Sequence, residues 1–138
     1  MVVAITLTHE PIGGADVLSR VLNASAGAQL EFLGVVRSDE DGRAISALEY
    51  EAYPDMAVRE MRRIVDELAS LHRCLAVTVI HRLGVIPVGE AAIRVQVSAA
   101  HRAEAFALLT AFMDRLKQDV PIWKVRAVAV DESSNPNA

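Results

Sequence analysis

The stretch CLAVTVIHRLGVIPVGEAAIRVQVS, residues 74–98, holds two β-rich runs separated by glycine and proline. Residues 74–82 (CLAVTVIHR) and 91–98 (AAIRVQVS) read as strands. Gly84, Pro87 and Gly89 punctuate the chain between them. Two strands so close in sequence pair antiparallel, because a parallel pair needs a long crossover. Working outward, residues 101–118 carry a helical stripe of Ala105, Phe106, Leu109, Phe112, Met113 and Leu116. A last strand is expected over 122–130. On the N-terminal side, Pro54 opens a helix over 55–72, with Ala57, Met61, Ile64, Val65, Leu68 and Leu71 on one stripe. Strands are expected over 2–8, 28–37 and 44–52, and a short helix over 14–23. Asp41-Gly42 is a hairpin-turn signal that would join the strands 28–37 and 44–52. Hairpin-linked strands with interspersed helices define an α+β fold: a mixed or antiparallel sheet with three packed helices.

The chain has 138 residues, the size of one domain. Residues 1–130 are read as that domain, and the polar stretch DESSNPNA, 131–138, as a flexible tail. Hydrophobic residues make up 52% and charged residues 23%, a globular composition. The formal net charge of −4 argues against nucleic acid as a partner. No apolar run is long enough for a membrane span, and the N-terminus lacks a signal-peptide pattern, so a cytoplasmic location is expected. The single cysteine, Cys74, excludes an intramolecular disulfide and a site built from several thiolates. It has no evident activating base and reads as a small hydrophobe. His9 and His72 have no partners at metal-ligand spacing, so no metal is expected.

Of the fourteen basic residues only Lys117 and Lys124 are lysine, framing QDVPIW. A chain so biased toward arginine keeps lysine where an amine is needed, since lysine can give up its proton and arginine cannot. The plainer alternative is chance placement on a solvated helix end. His101-Arg102 begin the third helix, where unpaired N–H groups attract anions. Cations are disfavoured there, so an anionic ligand or Glu104 should offset them. Arg37 ends a strand before the acidic SDED loop, where the local residues favour an exposed ion pair with Asp39 or Asp41 over a binding role. His81-Arg82 reads as structural or interfacial. Trp123 reads as a packing anchor, or as a ring wall for a flat heterocycle. These residues suggest a domain that binds a compact anion beside two amines. They leave open a non-catalytic dimeric α+β module that binds an anionic metabolite.

Six motifs then fall in a familiar order: FLGVVR (32–37), DGR (41–43), LEYEAYPDMA (48–57), HRLGVIPVGE (81–90), VSAAHRAEAF (97–106) and DRLKQDVPIWK (114–124). In combination they resemble the large, catalytic subunit of molybdopterin synthase. The resemblance implies an α/β hammerhead fold and a central homodimer with a small ubiquitin-like subunit at each end. That partner's Gly-Gly terminus is a thiocarboxylate that supplies sulfur to cyclic pyranopterin monophosphate, forming the molybdopterin dithiolene. No bound cofactor is implied; the product is itself the cofactor precursor. By resemblance Lys117 and Lys124 are the active-site lysines, and Arg37, His101 and Arg102 belong to the substrate pocket. His101 and Arg102 would serve the neighbouring subunit's lysines. Phe32 and Met113 match the channel for the partner's tail. After PIWK the family continues with a basic and then an acidic residue, where this chain has Val125 and Arg126. The family also tends to carry a longer tail. A structural subunit that has lost activity is a further alternative, suggested by these departures.

Overall fold

The computed structural model describes residues 1–13 and 24–130. The helix expected over 14–23 and the tail 131–138 lie outside the described residues. Among the described residues the order is β1 (Val2–Thr8), β2 (Ala28–Val35), β3 (Asp39–Glu40), β4 (Arg43–Ala52), α1 (Pro54–Ala69), β5 (Ala76–Arg82), β6 (Gly84–Pro87), β7 (Ala91–Ala99), α2 (Arg102–Asp119) and β8 (Ile122–Ala129). The class is α+β, with two helices among the described residues. Neither of them is long and apolar enough to cross a membrane.

The larger sheet runs β1-β5-β7-β2. Its β1–β5 pair is parallel, and β5–β7 and β7–β2 are antiparallel, so the sheet is mixed. Ile93, Val95, Val97 and Ala99 of β7 alternate onto the face covered by both helices. There they meet Met61, Ile64 and Val65 of α1, and Leu108 and Phe112 of α2, all fully buried. The stripe expected on α1 holds except at its end, since the helix stops at Ala69 and Leu71 lies 73% exposed beyond it. On α2 the buried row is Ala105, Leu108, Phe112 and Leu116. Phe106 is 55% exposed, because it lies one residue, or about 100°, off that row.

The smaller sheet is organised on β4, which pairs antiparallel with β3, β6 and β8. Val36, Ile45, Leu48, Ile86 and Ala92 form its own small core. Two sequence expectations change here. Residues 28–37 do not form a hairpin with 44–52: β2 ends at Val35 and pairs with β7 in the other sheet. The Asp41-Gly42 turn instead closes a two-residue ladder in which Glu40 opposes Arg43. Asp41 and Gly42 both take positive φ (51° and 80°), the backbone of a tight hairpin turn. The Gly84–Pro87 stretch, expected only as a separator, is strand β6 against β4. A proline at the end of such a short edge strand costs few ladder bonds.

Candidate active site

Pro121 ends α2 and sends the chain directly into β8. This reversal brings the last turn of the helix and the start of the strand to opposite walls of one cavity. The cavity measures about 530 Å³. Lys117 enters it from α2 and Lys124 from β8, so the six residues between the two lysines are a helix end, a turn and a strand start. Arg37 reaches it from the segment after β2, and Phe32 and Met113 line its apolar side. Five of the seven residues singled out in the sequence thus share one cavity. The remaining two do not. His101 is the N-cap of α2 and Arg102 its first residue, both exposed. At 1.5 Å per residue they sit about 23 Å along the axis from Lys117. Among the described residues Arg37 forms no ion pair. Glu104 makes none with His101 or Arg102 either, and its Oε2 is buried without a partner.

The cavity contains groups that the sequence did not single out. Glu40 accepts hydrogen bonds from Lys124 Nζ at both carboxylate oxygens, at 3.1 and 3.2 Å. Tyr50, opposite Lys124 in the β4–β8 register, lines the same wall. Burial pushes the Tyr50 phenol above its ordinary range, with Lys124 opposing the shift and Glu40 adding to it. His81 packs edge-on against Tyr50, with ring centroids 5.3 Å apart. Its Nδ1 donates to the Arg82 carbonyl oxygen at 2.8 Å, and burial holds its imidazole below the ordinary range. His81, read with Arg82 as structural or interfacial, is a buried ring in the cavity wall. Arg82 fits that reading: it pairs with Glu90 at 2.7 Å, tying β5 to the start of β7. The signal available for His81 was its place at the end of a strand otherwise apolar on that face. Nothing local marked Glu40, whose position depends on the turn after it.

Trp123 leans on Tyr53 at 5.1 Å and forms part of the cavity rim. Cys74 lies outside the cavity. It is buried, its Sγ is 3.6 Å from the Glu104 carbonyl oxygen, and burial pushes the thiol up. A thiol so placed is a poor nucleophile.

A two-sheet α+β scaffold with two amines, a guanidinium, the carboxylates of Asp39, Glu40 and Asp114, a phenol and an imidazole around one cavity has the make-up of an enzyme subunit. A sequence profile of the MoaE protein family matches residues 7–119. The chain is 38% identical over 120 residues to a molybdopterin synthase catalytic subunit from Thermoplasma volcanium, covering 87% of this chain and 88% of that one. Its structure is similar to a molybdopterin synthase from Staphylococcus aureus, with a TM-score of 0.81, 31% identity, and coverage of 91% and 90% of the two chains. A more distant likeness, in fold alone, is to a complex of subunits 1 and 2 of molybdopterin-converting factor from Helicobacter pylori (TM-score 0.65, 22% identity, 99% and 94% covered). The chain belongs to the MoaE protein family. It is an enzyme subunit of molybdenum cofactor biosynthesis.

Proposed function

We propose that this cavity is where sulfur passes from the thiocarboxylated C-terminus of a small ubiquitin-like partner to cyclic pyranopterin monophosphate, giving the molybdopterin dithiolene. The observation that carries the reading is the convergence of the chain's only two lysines, with Arg37, on one cavity. Both reactants are anions, and the three cationic side chains give them donors and counter-charges beside the carboxylates of Asp39, Glu40 and Asp114. The partner's tail runs in past Phe32 and Met113, and Lys117, at the inner end of α2, holds its thiocarboxylate. Lys124 moves protons as sulfur adds to the pterin side chain. Arg37 belongs to the substrate pocket.

His101 and Arg102 cannot serve the lysines of their own chain across about 23 Å of helix. In a homodimer they complete the neighbouring chain's site, where the positive pole of α2 adds to their attraction for phosphate. The assembly is then a homodimer with one small subunit at each end, working in the cytoplasm. No thiol of this chain carries sulfur, because the partner delivers it. The test is to mix the chain with a thiocarboxylated ubiquitin-like protein and the pyranopterin, and to measure dithiolene formation. Turnover that persists unchanged in Cys74→Ala supports the reading; absence of any dithiolene with the unsubstituted chain overturns it.

A further inference from the structure

Of the carboxylates lining the cavity among the described residues, to which sulfur transfer as described gives no task, Glu40 is the one bonded to a lysine. Glu40 sits on a two-residue strand and is aimed by a turn that puts Asp41, a non-glycine residue, at positive φ. Asp-Gly is the pair that a two-residue hairpin turn favours, since both central positions take positive φ, so the turn fixes where Glu40 stands. What it delivers is a carboxylate bonded through both oxygens to Lys124. The Glu40 side chain is 22% exposed and the Lys124 side chain 49% exposed, so the pair stands at the rim in reach of solvent and ligand.

We propose that Glu40 is a positioning residue that occupies the Lys124 ammonium until an anionic substrate group displaces it; this rests on the sulfur-transfer reading above. A phosphate has the same charge sign and the same paired acceptor oxygens as the Glu40 carboxylate, and a thiocarboxylate carries the same charge on one oxygen and one sulfur. The incoming anion therefore exchanges one ion pair for another, and the ammonium is never left without a counter-charge. Glu40 does two opposing things. It fixes the amine in the cavity before substrate arrives, which favours turnover. It also competes with the anion for that amine, which weakens binding.

The test is the split between KM and kcat for dithiolene formation by the full chain with its thiocarboxylated partner, with inorganic phosphate as a competing probe. Glu40→Gln should lower the KM for the pterin and the phosphate inhibition constant together, by about two- to fivefold, the worth of a rim-exposed ion pair. It should lower kcat as well, because the amine loses its anchor. Glu40→Asp keeps the charge on a shorter arm and should retain the unsubstituted chain's phosphate inhibition while recovering part of kcat. Raising the ionic strength should shrink the difference between Glu40→Gln and the unsubstituted chain, since exposed pairs are screened. Unchanged KM, kcat and phosphate inhibition in Glu40→Gln would overturn the proposal. If the unsubstituted chain makes no dithiolene, the sulfur-transfer reading fails separately. Phosphate titration of both proteins by calorimetry then still decides on Glu40: tighter binding in Glu40→Gln supports it, and equal binding overturns it.

Discussion

At its C-terminal end α2 sets Lys117 in a cavity wall, where the negative pole of the helix favours the ammonium. At its N-terminal end the same helix leaves His101 and Arg102 exposed, with no side-chain cap and against the dipole. One end has its basic residue where helix electrostatics stabilise it. The other holds His101 and Arg102 exposed, with Glu104 in the same turn but ion-paired to neither. Exposed basic residues at a helix N-terminus, where unpaired N–H groups also point, are expected where an anion is to be bound. The contrast fits a site shared between two chains, each giving the C-terminal end of α2 to one cavity and the N-terminal end to the next.

The largest expected effect falls on the span that holds the two ends apart. Phe112 is fully buried midway along α2, and Phe112→Ala should cost about 3–5 kcal/mol in urea unfolding. A loss below 1 kcal/mol would mean that the helix is not held by this core. Next, Lys117→Ala should lower dithiolene formation by about a hundredfold or more with an unaltered melting temperature, since Lys117 is exposed to the cavity. Arg102→Ala should also be impaired. Mixing the two inactive variants sharpens the comparison. Random exchange of subunits makes about half the dimers mixed, each with one intact site of two, so activity should recover to about a quarter. No recovery would break the idea of a shared site.

Smaller effects follow from single groups. The His81 imidazole is held down by burial, so the unfolded chain binds a proton at higher pH than the folded chain does. Stability is therefore lost as pH falls below about 6.5. In His81→Asn, acid unfolding curves should lose that part of the slope; an identical slope would show that His81 charges without cost. The smallest effect belongs to the uncapped end. His101→Ser supplies a capping oxygen and should raise stability by about 0.5–1 kcal/mol while reducing turnover. A gain in both would remove the case for a functional cost at that end.

Much of this arrangement was legible in the chain. Both helices and β1 and β5 follow from apolar spacing, because their burial is one-sided, while β7 and β8 follow from β-rich composition between turn residues. The pairing of β2 was not legible. Leu30, Phe32 and their neighbours fit either sheet, and only the three-dimensional course of the segment after Val35 assigns them to β7. β6 was hidden by its own punctuation, since Gly84 and Pro87 bound a strand of four residues. At the site, the rarity of lysine singled out Lys117 and Lys124, and resemblance supplied Arg37, Phe32 and Met113. Glu40 and Tyr50 were hidden because charge and aromatic content carry no address. Each reaches the cavity through a ladder register: Glu40 opposite Arg43, and Tyr50 opposite Lys124.

Strand β4 has one more consequence. It alone bonds to β3, β6 and β8, so the strand carrying Lys124 and the one carrying Glu40 share a single spine. Detaching either by an independent local fluctuation strips bonds from that same spine. The charged rim is thus mechanically stiffer than its surface location suggests, and its acid–amine spacing persists without a deep core beneath it.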